Sequence, residues 1–66
     1  MKINIKIECD TISEFGAHLH HLAIQVRRSA RKQKLNPLKD EFEPEDADSM
    51  CDNNCYGTHS VEIKKG

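Results

Sequence analysis

The chain has no tryptophan, one tyrosine, two phenylalanines, three glycines and two prolines among its 66 residues. So few large aromatics leave little material for a core, and a chain this short is marginal by itself. Its length makes one domain at most, residues 1–66. No run of about 18 apolar residues is present, so no membrane-spanning helix and no membrane partner are expected. Residues 1–7 lack the apolar block of a secretory signal, which predicts an intracellular, cytoplasmic protein. Three cysteines are an odd number; in a reducing compartment they read as free thiols rather than a disulfide framework. There is no glycine-rich phosphate loop and no nucleophile elbow. A two-layer domain of this size rarely encloses a pocket of the usual volume. The expectation is that the protein is not an enzyme and carries no cofactor.

What is present is charge, and it is separated. The net charge of −1 is the sum of +4 over residues 1–34, −6 over residues 35–55 and +1 over residues 56–66. The balance argues against a dedicated nucleic-acid binder but leaves room for a local basic patch.

Residues 10–34 organise the chain. Thr11 and Glu14 fit a capping box, with Asp10 as an alternative cap. Ile12, Phe15, Leu19, Leu22, Val26 and Ala30 then recur at steps of three and four, a stripe on one side of a helix. Glu14, His18, His21, Gln25, Arg28 and Lys32 fall opposite. Cations crowd the C-terminal end, where they suit the helix dipole. Asn36 and Pro37 stop the helix, giving an expected span of 11–34. Before it, Ile3, Ile5 and Ile7 alternate with polar residues, predicting a strand over 2–8. After it, residues 36–55 read as an acidic loop in which Leu38 and Phe42 could pin one turn to the helix. A second strand is expected over 58–64, with His59, Val61 and Ile63 on one face.

The predicted fold is therefore a small α+β unit of strand, helix, loop and strand. One long amphipathic helix packs its stripe on a two-stranded sheet, with a short third strand near Met50 as an option and strand direction open. The helix is longer than the strands beneath it, and a two-stranded sheet is marginal. Both favour a homodimer or a partner.

Four constellations could carry chemistry. Cys9, Cys51, Cys55 and His59 offer thiolate and imidazole ligands for zinc; alternatively they are reduced thiols at a turn and a core edge. Glu14, His18 and His21 can share one helix face, as a weak metal or pH-sensing group or simply as polar surface. Arg27, Arg28, Arg31, Lys32 and Lys34 could grip phosphates, or be neutralised by the acidic loop. Asp40, Glu41, Glu43, Glu45 and Asp46 could imitate a nucleic-acid backbone, or fold back as a soluble linker.

In size, compactness and lack of a catalytic motif, the whole chain resembles the small orphan proteins of phages and mobile elements. Among these are the anti-CRISPR type of stoichiometric inhibitor of defence nucleases. The resemblance implies a non-enzymatic inhibitor or modulator acting in the host cytoplasm on a protein partner, such as an RNA-guided nuclease or its RNA complex. The basic helix end would compete for guide RNA, or the acidic segment would occupy a basic channel. The competing class is a small nucleic-acid-binding or zinc-binding regulator.

Overall fold

The computed structural model describes residues 1–66. The alternating isoleucines build β1, Lys2–Glu8. Thr11 caps the helix that follows, α1, Ile12–Lys32. Its hydroxyl accepts from the Glu14 amide at 3.1 Å and donates to the Glu14 carboxylate at 2.9 Å.

The helix stops two residues short of the expected Lys34. Lys34 takes a left-handed conformation, φ 57°. The Leu35 amide then donates to the Ala30 carbonyl at 2.9 Å, and the Lys34 amide to Arg31 at 3.1 Å. This pair of bonds is the Schellman ending, reached here with a lysine where glycine is usual.

Residues 36–55 are more ordered than their composition predicts. A 3-10 helix spans Pro44–Met50 and a short strand, β2, spans Asp52–Asn54. The Asp46 carboxylate accepts from the Glu43 amide at 2.7 Å and closes the first 3-10 turn behind Pro44. Ala47 and Met50, three apart, stack on one side of that helix and are buried. Two small apolar contacts thus outweigh the acidic surroundings. Phe42 packs against the same core, whereas Leu38 is 91 % exposed. The expected pin is made by Phe42 alone.

β3, Gly57–Lys64, returns through the middle of the sheet, whose order is β1-β3-β2. Both pairings are antiparallel, with Ile3 opposite Ile63, Ile5 opposite Val61 and Ile7 opposite His59. Cys55 and Tyr56 form the two-residue turn between β2 and β3, with Asn54 opposite Gly57. The molecule is an α+β fold: one long helix on a three-stranded antiparallel sheet.

Of its apolar stripe the helix buries only Leu22 in the core. Its buried residues are His18, Leu22 and Ser29. At 100° per residue this face is rolled roughly 70° from the stripe, toward the histidines. Ile12, Phe15, Leu19 and Val26 are left exposed, and so are Ile3 and Ile5 on β1. The cause is His59, which stands among the apolar residues of β3 and demands polar partners. The 3-10 helix supplies the apolar cover instead. The core is Leu22, Ala47, Met50, Val61 and Ile63.

Candidate functional site

Where the helix crosses the sheet, the seam between them is polar and buried. His18 and His59 are 3 % and 2 % exposed. Their Nδ1 atoms lie 2.8 Å apart, with the rings edge to face. His18 Nε2 meets the Tyr56 carbonyl at 3.2 Å, and His59 Nε2 meets the Gln25 side-chain oxygen at 2.7 Å. On the rim, His21 Nδ1 faces the Asp52 carboxylate at 2.8 Å. α1, β2, β3 and the β2–β3 turn all contribute. The i, i+3/i+4 spacing of His18, His21, Gln25 and Ser29 brings the helical members onto one face.

The proton count of this seam follows from its partners. A carbonyl can only accept, so His18 Nε2 carries a hydrogen. If both rings are neutral, His18 Nδ1 is bare and His59 Nδ1 donates to it. His59 Nε2 is then bare as well, and Gln25 must turn its NH₂ toward it. With the Gln25 oxygen toward His59, the orientation seen here, the two rings instead share one additional proton. The orientation of Gln25 and the charge of the pair are therefore linked. Burial, and next the neighbouring His18, hold His59 below its ordinary value of 6.5; Asp52 opposes this, and His21 adds to it. No buried side-chain nitrogen or oxygen lacks a partner.

The seam can also offer metal ligands. One donor atom each from His21, Asp52 and His59 lies within 4.8 Å of the others. Two imidazoles and a carboxylate suit zinc. The candidate zinc set of Cys9, Cys51, Cys55 and His59 does not assemble. Cys51 and Cys55 are exposed and Cys9 is half-buried, all as free thiols. The Cys51 thiol is occupied, donating to the Ala47 carbonyl at 3.3 Å and accepting from the Val61 amide at 3.5 Å. Cys9 donates to the Thr11 carbonyl. Only His59 of that set belongs to the donor cluster, because β3 turns it inward while the turn holds Cys55 in solvent. Glu14 is taken by the Thr11 cap, so the candidate trio of Glu14, His18 and His21 is divided between a cap and the seam.

The charged surfaces lie at the other end of the helix. Arg27, Arg28, Arg31, Lys32 and Lys34 are all exposed, and none takes part in an ion pair. The acidic segment approaches them but spends its carboxylates elsewhere. Asp40 accepts from the Asn36 amide at 2.7 Å. Glu41 pairs with the N-terminal amine at 3.4 Å, and Glu43 with Lys65 at 2.6 Å. Asp46 holds the Gln33 amide at 2.8 Å besides closing its own turn. Of the five acids expected to face a partner, Glu45 alone makes none of these bonds. It lines a polar cleft of about 630 Å³ with Arg28 and Lys32 on the opposing wall and His21 and Gln25 at the seam end.

Sequence reasoning placed His18, His21 and Gln25 on a solvent face and missed Asp52 and Gln25 as seam members. The available signal was His59 in register with Val61 and Ile63 on an inward strand face, since a buried histidine must be answered from the helix above.

The fold and seam define a small α+β protein with a buried histidine pair and an uncompensated cationic helix end. No family model, curated protein or solved structure matches the chain, and no helix is long and apolar enough to cross a membrane.

Proposed function

We propose that this chain is a non-enzymatic binding protein that docks through its cationic helix end on an anionic macromolecular surface. The partner class we favour is an RNA-guided nuclease carrying its RNA, with the chain acting as a stoichiometric inhibitor or modulator in the cytoplasm of the host. The supporting observation is that Arg27, Arg28, Arg31, Lys32 and Lys34 have no carboxylate partner, although an acidic segment lies beside them. An internal neutraliser would pair with these cations. This segment bonds backbone amides, Gln33, Lys65 and the N-terminus instead. Guanidinium groups on successive helical turns match phosphates spaced along a nucleic-acid strand.

The test is binding to a guide RNA, free and nuclease-bound, at stepped salt concentrations. Five phosphate contacts to a single strand predict a log–log salt slope of about −3.5. Replacing Arg27, Arg28 and Arg31 together by glutamine should flatten the slope by about 2 and abolish nuclease inhibition. A salt-insensitive interaction, or an unchanged triple variant, overturns the reading.

A second reading, a zinc-binding regulator, is favoured by one observation: the convergence of His21, Asp52 and His59 donors. It predicts stoichiometric zinc uptake by the purified chain, at least tenfold weaker in Asp52→Asn and unaffected by Cys51→Ser. Zinc binding that survives Asp52→Asn would place the metal elsewhere.

A further inference from the structure

The chain leaves more surface open than a folded monomer of its mass. Its accessible area is 5120 Å² for 7.6 kDa. The usual scaling gives about 4,300 Å² for a compact monomer of that size. The excess of about 800 Å² is what one partner contributes to a standard protein interface. The Cα radius of gyration, 12.3 Å, likewise exceeds the ~10.8 Å expected of a compact domain of this length.

Part of this open surface is apolar and gathers on one flank. Phe15, Leu19 and Val26 are 47 %, 45 % and 36 % exposed on the helix, and Ile3 and Ile5 are 46 % and 50 % exposed on β1. His21 reaches Asp52 of β2 from one side of the helix. The apolar stripe, on the helix's other side, therefore faces the β1 edge of the sheet. Ile3 and Ile5 share the inward sheet face with Ile63 and Val61, so they lie on the same side as the helix. β1 is itself an edge strand: seven residues, no proline, its outer row of backbone groups unpaired by any strand. Such an edge is a template for another strand.

We propose that the occupant of this flank is a second copy of the chain. Its β1 pairs antiparallel with the first about a two-fold axis through Ile5 and normal to the sheet. The choice of occupant rests on the charge pattern of β1. In the register centred on Ile5, Lys2 lies opposite Glu8 of the other copy at both ends, Asn4 opposite Lys6, and Ile3 opposite Ile7. Centring on Asn4 sets Lys2 against Lys6, and centring on Lys6 sets two lysines face to face. Shifting by one residue would turn the isoleucines to the other side. Lys2 also lies opposite Lys64 within its own sheet, a like-charge pair that the incoming Glu8 relieves. Because paired residues share a face, both helices lie on the same side of one six-stranded sheet. Ile3, Ile5, Phe15 and Leu19 of each copy then close a core across the axis. The interface is isologous and closed, so it stops at two.

Light scattering on the purified chain at tens of micromolar should give twice the 7.6 kDa chain mass. Ile5→Lys, at a half-exposed position, should give a helical monomer of 7.6 kDa. Lys2→Glu and Glu8→Lys should each weaken the dimer about tenfold by opposing like charges at two places, and the double swap should restore it. The swaps alter only exposed side chains; Glu8→Lys also gives up an exposed pair with Lys6 of its own strand, which contributes little, so the swaps report on assembly even if Ile5→Lys fails to fold. A wild-type monomer at this concentration overturns the proposal. So does a dimer indifferent to the single swaps, or one that the double swap does not recover.

Discussion

Gly57→Ala is expected to unfold most of the molecule at room temperature, measured as loss of helical circular dichroism and of a cooperative denaturation transition. Gly57 has φ +123°, a conformation that side-chain-bearing residues rarely adopt and that costs about 1–3 kcal/mol for them. Its hydrogen also faces a crowded corner. A Cβ there would overlap the Glu8 carbonyl oxygen and would stand 3.1 Å from both Cys9 Cβ and His18 Nε2. The Glu8 oxygen is backbone at the end of β1, so relief requires moving the strand or the His18 ring. Moving the ring breaks the contacts of His18 with Tyr56 and His59, leaving buried polar atoms unpaired at about 1–3 kcal/mol each. A domain of this length has a total stability of only about 3–10 kcal/mol. Strain, clash and lost bonds together consume most of it. A Gly57→Ala protein within about 1 kcal/mol of wild type would mean that the corner is looser than these distances imply.

Acid is expected to have the second largest effect. His59 titrates below its ordinary 6.5 because burial disfavours its charged form and the His18 ring opposes it further. The unfolded chain binds this proton more readily than the folded one, so stability rises with pH across the window. It is complete above pH 6.5 and is lost progressively as pH falls from 6.5 toward the lowered folded-state value. The slope is at most about 1.4 kcal/mol per pH unit for one such group. Asp52 and His21 also face His59, the first raising and the second lowering its affinity for a proton. A first, shared proton keeps the Gln25 side-chain oxygen as acceptor from His59 Nε2, where it lies at 2.7 Å; a second proton would oppose the first across 2.8 Å. Urea denaturation midpoints at pH 7.5, 6.5, 5.5 and 4.5 read this directly. His59→Gln should lower stability throughout yet flatten the loss between pH 6.5 and 5.5. A midpoint unchanged from pH 7.5 to 5.5 in the wild type would show that the pair does not need to stay neutral.

If the dimer forms, the two cationic helix ends lie at opposite ends of a continuous sheet, because β1 runs antiparallel to its copy and each helix runs back along its own β1. A long anionic strand could then be held at two points, with the gain in avidity that linked sites provide.

Much of this architecture was legible from local pattern. The period-two isoleucines dictated β1, the Thr11–Glu14 cap set the start of α1, and the alternation of His59, Val61 and Ile63 dictated β3. Each is an interaction between residues near in sequence, so each leaves a periodic trace. The composition also determined that the core would be small and the charge divided. Three features were decided only in three dimensions. The 3-10 helix is held by Ala47 and Met50 meeting Val61 and Ile63, contacts hidden in an acidic stretch. The direction of β3 depends on where that stretch delivers the chain. Above all, the roll of α1 was set by a single inward histidine on a distant strand. An apolar stripe indicates that a helix has a face to bury, but the choice between its own sheet and another molecule depends on what the sheet presents. Here the sheet presents His59, and the helix answers with His18 and Gln25 while Ile12, Phe15 and Leu19 stay exposed.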